Sequence, residues 1–133
     1  MNFLRKVLSR FRAASPKTPP IPPDWQELRI TTVLAPPDDV ALARLLEDVK
    51  AAVAVANAGQ FDEYEELGNA QICIYLLGPS TDRLLEAVIP ALQRHGWTAG
   101  AEIYRAYGST MDQRTVEVIT RFSVEQPGVR YSN

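Results

Sequence analysis

Apolar positions recur along this chain with two periods, and the switches between them mark out its elements. From Trp25 to Ala35, Leu28, Ile30, Thr32 and Leu34 alternate with Arg29, Thr31 and Val33. That period of two, with its β-branched content, predicts a strand. Pro36-Pro37 ends it. Leu42, Leu45, Leu46, Val49, Ala52, Val53 and Ala56 then form one helical stripe, with Arg44, Glu47, Asp48 and Lys50 on the opposite side. Asp38 or Asp39 suits the N-cap, and Asn57-Ala58-Gly59 suits a glycine-type C-cap.

The stretch Gly59–Pro79 organises the rest. Phe61–Leu67 and Ala70–Leu77 both read as strands, and Gly68-Asn69 between them predicts a hairpin turn. In the second strand Ile72, Ile74 and Leu76 share one face, and Gln71, Cys73, Tyr75 and Leu77 share the other. Apolar character on both sides implies burial, or an apolar binding face on the second side. After Gly78-Pro79, with Ser80 or Thr81 as cap, Leu84, Leu85, Val88, Ile89 and Leu92 make a second helical stripe. Pro90 within it predicts a kink or a division. His95-Gly96 ends the helix, with Trp97 packing back, and His95 suits the negative end of the helix dipole. Ala101–Tyr107 and Arg114–Phe122 predict two further strands joined by Gly108–Asp112, and Pro127-Gly128 opens a polar tail.

The order is strand, helix, strand, strand, helix, strand, strand. The predicted fold class is α+β: a ferredoxin-like split βαβ sandwich (β-α-β-β-α-β) with an extra C-terminal edge strand. Helices would cover one face of the sheet. Arg29, Thr31, Val33, Gln71, Cys73, Tyr75, Glu102, Tyr104, Ile119 and Arg121 would lie on the other, a mixture that suits a protein-binding or homodimer surface, or an ordinary solvated face.

Length and charge refine this picture. The 133 residues suit one domain. The divisions are an arm and linker over 1–24, a domain over 25–126 and a flexible tail over 127–133. The single cysteine, Cys73, excludes an intramolecular disulfide and fits a reducing cytoplasm, the expected location. The net charge of -2 is uneven. Residues 1–23 carry Arg5, Lys6, Arg10, Arg12 and Lys17 and no acid, which leaves nine basic and sixteen acidic residues in the remainder. Such an acidic body disfavours nucleic acid as the partner. No apolar run approaches the ~20 residues of a spanning helix.

In the arm, Phe3, Leu4, Val7, Leu8 and Phe11 keep helical spacing among the basic residues. This short amphipathic segment reads as a helix that packs on its own domain or frays in solution, or as one that docks on a partner or a membrane surface through Phe3 to Arg12. Pro16, Pro19, Pro20, Pro22 and Pro23 follow as a stiff spacer.

The chemistry that stands out is acidic. Asp62, Glu63, Glu65 and Glu66 crowd one predicted strand. Their spacing fits no EF-hand loop, and strand alternation sends Glu63 and Glu65 one way, Asp62 and Glu66 the other. They read as a charged edge that discourages unwanted pairing, or as an acidic docking surface for a basic partner. Cys73 reads as a buried filler. The only histidine stands in no nucleophile or metal motif, and one glycine before a helix is no phosphate loop. Neither an enzyme, a cofactor nor a metal is expected.

Residues 59–82, Gly-Gln-Phe-Asp-Glu-Tyr-Glu-Glu-Leu-Gly through Tyr-Leu-Leu-Gly-Pro-Ser-Thr-Asp, resemble a motif of small bacterial proteins of unknown function, which also carry a strand like Arg105-Ala-Tyr-Gly108. Those proteins often have Asp-Gly after the aromatic position, where this chain has Asp62-Glu63. The resemblance brings no catalytic residues. It implies kinship with small acidic α+β proteins, among them immunity proteins that neutralise toxins by binding them. The expected function is therefore a non-enzymatic protein-binding module of the immunity-inhibitor type, with Glu63, Glu65, Glu66, Tyr75 and Tyr104 meeting a toxin of basic surface or a second copy. The alternative is a small-molecule-binding regulatory or sensor domain of the same fold.

Overall fold

Six antiparallel strands form one sheet in the order β2-β3-β1-β4-β5-β6. They are β1 (Gln26–Thr31), β2 (Gln60–Glu66), β3 (Ile72–Gly78), β4 (Glu102–Tyr107), β5 (Val116–Ser123) and β6 (Arg130–Ser132). Helix α1 (Asp39–Ala56) joins β1 to β2, and helix α2 (Thr81–Gln93) joins β3 to β4. The fold is α+β. The computed structural model describes residues 22, 24–108, 116–123 and 130–132. The expected arm helix over Phe3–Phe11, most of the proline-rich spacer, the loop beyond Gly108 and Pro127-Gly128 lie outside these residues. Within the segment expected as a fraying tail, Arg130–Ser132 pairs with Arg121–Ser123.

One core lies between the helices and the sheet. Leu28 and Ile30 of β1, Ile72, Ile74 and Leu76 of β3, and Ile103 and Phe122 meet Leu45, Val49 and Val53 of α1 and Leu84, Val88 and Leu92 of α2. These are the positions at which both periods placed apolar side chains. Burial of each such side chain contributes about 2 kcal/mol.

The acidic strand meets that core through a β-bulge. The register shifts between Phe61 and Glu63, so Phe61 stands opposite Leu76 on the core side. Glu63 and Glu65 stand opposite Tyr75 and Cys73 on the other side. Strict alternation would set Phe61 beside Glu63 and Glu65. The extra residue lets the ring pack on the core while both carboxylates stay away from it.

The reversal at Gly68-Asn69 occurs as predicted, but its strained residue is Ala70. Ala70 N–H bonds Leu67 O at 2.9 Å and Leu67 N–H bonds Gln71 O at 2.8 Å. Ala70 has φ +68°, the left-handed region where glycine is favoured, whereas Gly68 has no positive φ. Ala70→Gly is expected to stabilise the protein by about 1 kcal/mol, read as a raised denaturation midpoint with unchanged m-value. An unchanged or lowered midpoint contradicts this geometry.

The helix ends are settled by side chains. Asp38 caps α1 by accepting from Ala41 N–H at 2.7 Å, and Ser80 caps α2 by accepting from Arg83 N–H at 3.3 Å. At the far end of α1 the left-handed residue is Asn57, φ +52°, rather than the expected glycine. Gly59 is needed for another reason. A Cβ on it would lie 2.0 Å from Leu77 O, and one on Gly78 would lie 2.2 Å from Ala58 O. The chain leaving α1 therefore crosses the end of β3 backbone against backbone. Pro90 neither divides nor ends α2. The carbonyl deprived of its donor belongs to exposed Glu86, where water can serve it.

Candidate functional site

The sheet face turned away from the helices carries the residues singled out from the sequence. Cross-strand register puts Glu63 beside Tyr75, Tyr75 beside Arg29, and Arg29 beside Tyr104, which itself neighbours Ile119. A second row runs Glu65, Cys73, Thr31, Glu102 and Arg121. Glu63, Glu65, Tyr75 and Tyr104 are thus brought together. Glu66 is not: it pairs with Ile72 on the helix side and is exposed. Val33 and Gln71 fall just past the strand ends and are joined by a bond from Gln71 Nε2 to Val33 O at 3.0 Å.

Arg29 is the centre of the face. Its guanidinium carbon lies 4.5 Å from the Tyr104 ring centroid and 5.6 Å from that of Tyr75. Its Nε donates to Glu27 Oε1 at 2.9 Å. A planar cation between two rings holds one face of each by cation–π attraction and restricts both aromatic side chains. Tyr75 O–H donates to Glu65 Oε1 at 3.1 Å, and the Thr31 hydroxyl donates to Cys73 Sγ at 3.4 Å. Burial, then its contacts with Cys73 and Glu65, hold the Tyr75 hydroxyl protonated far above the ordinary tyrosine range. At the β5 side, Arg121 reaches Gly100 O at 3.3 Å and lies 4.0 Å from Glu102.

Among the described residues, two further polar clusters join the helices to their neighbours. At the start of α2, Asp82 accepts from Tyr107 O–H at 2.5 Å and from Arg105 at 3.0 Å, which ties β4 to the helix. Burial first, and then this bond, raise the Tyr107 hydroxyl's pKa. At the end of α2, His95 Nε2 meets Asp48 Oδ2 at 2.7 Å, and Arg94 lies 3.6 Å from the same oxygen. This joins α2 to α1 beside a shallow groove lined by Asp39, Val40, Ala43, Arg44 and Glu47. The dipole-capping role expected of His95 says nothing of Asp48. Thr98, buried, instead serves the last carbonyls, its hydroxyl shared between Leu92 O at 2.9 Å and His95 O at 2.8 Å.

The His95 bond, and next Arg94, hold the Asp48 carboxyl below its ordinary range despite partial burial. A carboxylate with a depressed folded pKa contributes stability that is present above its unfolded pKa and lost as pH falls through the folded one. The stability gap between the natural chain and Asp48→Asn should accordingly be open at pH 5 and close as pH falls below about 3.9. A gap that stays constant from pH 5 to pH 2 contradicts the pairing.

Among the described residues no three His, Cys, Asp or Glu side chains converge as metal ligands would, and no helix is long and apolar enough to cross a membrane. A scan against family models, a search of curated proteins and a search of solved structures each return no match. The sequence reading placed Arg29 on this face but did not recognise it as the hub. The signal was its alternation with Leu28 and Ile30; what it lacked was the register that sets Arg29 between two tyrosines from distant strands.

Proposed function

We propose that this chain is a non-enzymatic protein-binding module, an immunity-type inhibitor that neutralises a basic partner by direct contact through the sheet face away from the helices. The observation that carries the reading is the Tyr75–Arg29–Tyr104 stack standing beside Glu63 and Glu65 on one rigid sheet. Tyr104, held by the guanidinium, loses little freedom on binding, which suits it as an anchor; Tyr75, 6 % exposed, backs the stack. Carboxylates beside them would steer a basic surface into register. The resemblance of residues 59–82 to small bacterial proteins akin to immunity proteins points the same way. We read the order β2-β3-β1-β4, with every neighbouring pair antiparallel, as ferredoxin-like, with β5 and β6 extending one edge. Among the described residues, one face of the sheet carries no helix.

The test is capture of the partner from the native cell, followed by binding kinetics with the isolated pair. Glu63→Lys with Glu65→Lys should slow association at least about tenfold at low ionic strength, with the difference shrinking at high salt. Unchanged rates at low salt would remove the acidic edge from the mechanism.

A further inference from the structure

Strand β2 is one border of the sheet: among the described residues it pairs with β3 and with no strand on its other side. The ladder fixes which main-chain groups that border presents. Leu67 N–H bonds Gln71 O at 2.8 Å, so Gln71 turns its carbonyl toward β2. Thr32 N–H bonds Ile72 O at 2.8 Å, so Ile72 turns its carbonyl the other way, toward the β1 side. Antiparallel strands send the main-chain groups of successive residues to opposite sides. Glu66, opposite Ile72, and Tyr64, opposite Ile74, therefore point N–H and C=O away from β3, whereas Glu63 and Glu65 are bonded to it. Both outward residues are exposed, Tyr64 to 44 %. The bulge between Phe61 and Glu63 interrupts the row at one end and the turn at Gly68-Asn69 closes it at the other, which leaves residues 63–67 as the open stretch.

We propose that this border takes up an extended, basic segment of a partner protein as an added strand. The outward N–H and C=O groups supply main-chain bonds to any strand, and the side chains choose which one. Side chains of neighbouring strands stand level with one another on each face. On the outer face the added strand meets Glu63 and Glu65, which calls for Lys or Arg at alternate positions. Between them, on the helix side, it meets the exposed Tyr64 ring, which calls for an apolar residue. A second copy of this chain is the wrong occupant. Residues 62–66 hold Asp62, Glu63, Glu65 and Glu66 and no base, so two such strands set like charges against each other. The same charges that deter a copy attract a basic strand, so the acidic edge rejects one class of partner and selects another.

This inference rests on the proposed function in taking the partner to be basic, and it deepens that reading by giving the form of the partner's binding element. The element is a strand of about five residues, ~17 Å long, basic at one parity and apolar at the other. Its basic side chains continue the outer face past Glu63 and Glu65, so the same partner body can reach Tyr104.

The experiment follows amide hydrogen exchange, residue by residue, in the full-length chain with and without a millimolar excess of a capped heptapeptide in which lysine alternates with valine. Exchange at Tyr64 and Glu66 should slow at least about tenfold, while Glu63 and Glu65, already bonded to β3, should not change. The peptide with glutamate in place of lysine should have no effect. Tyr64→Ala keeps the outward N–H and should keep the peptide's effect at Glu66. Tyr64→Pro removes that N–H without removing a bond to β3 and should abolish the effect. Should Tyr64→Pro misfold, N-methylated peptides on the natural chain serve instead: methylation of alternate nitrogens should abolish the effect in one parity and spare it in the other. No slowing at Tyr64 and Glu66 overturns the proposal, as does equal action of the two methylated peptides. Protection of these amides in the peptide-free chain that is lost on dilution also overturns it, because the occupant is then a second copy. None of these readings uses the native partner, so failure here and failure to capture a partner are separate results.

Discussion

A single methyl group at Gly59 costs the fold about 3 kcal/mol or more. Gly59→Ala puts a Cβ 2.0 Å from Leu77 O and 2.7 Å from Gly78 Cα. Both are backbone atoms of β3, which pairs with β2 on one side and β1 on the other, so neither can swing aside. Gly59 also has φ +150°, a conformation that L side chains rarely adopt. Against a total stability of about 5–15 kcal/mol, this loss moves the denaturation midpoint far down. Gly78→Ala should be comparably damaging, since its Cβ meets Ala58 O across the same crossing. Gly96→Ala, with nothing within 4 Å of its Cβ, is the control and should change stability little. Equal midpoints for Gly59→Ala and Gly96→Ala would show that the end of α1 does not cross β3 this closely.

Removing the hub of the proposed binding face is the second large loss. Arg29→Ala deletes the ion pair to the nearly buried Glu27 carboxylate and both ring contacts. Truncating one partner of a buried ion pair costs several kcal/mol, but the Arg29 side chain is 31 % exposed, which screens part of that. The expected loss is about 2 kcal/mol. Arg29→Lys keeps the charge but neither the planar stack nor the rigid fork, so it should fall between the two. Equilibrium urea denaturation orders the three. If the alanine and lysine variants match the natural protein, the stack is ornamental and the tyrosines are held by something else.

Much of the architecture was legible because it depends on period and punctuation. Alternation in residues 72–77 divides core from outer face without knowledge of the partners, and composition narrows the caps to Asp38 or Asp39 and Ser80 or Thr81, of which the chain uses Asp38 and Ser80. What escaped depends on contacts distant in sequence. The bulge at Asp62 answers a conflict between an aromatic ring and two carboxylates, visible only when β3 is alongside. His95 finds Asp48 forty-seven residues away. The left-handed positions fell on Asn57 and Ala70 and not on the adjacent glycines, because Gly59 is held by its crossing with β3 and the turn passes its strain to its third residue. The outer face followed from alternation as a set of residues, but the near-complete burial of Leu77, Cys73 and Tyr75 beside an exposed Ile119 did not.

The claim on which the account depends is that partners meet the sheet face and not the helices. The most direct measurement compares two double charge reversals of equal size against the captured partner at low salt. One is Glu63→Lys with Glu65→Lys on the sheet face; the other is Glu47→Lys with Glu86→Lys, both exposed on the helices. The account predicts that only the first slows association, by about tenfold or more. Equal slowing by both pairs, or slowing by the helix pair alone, would contradict it.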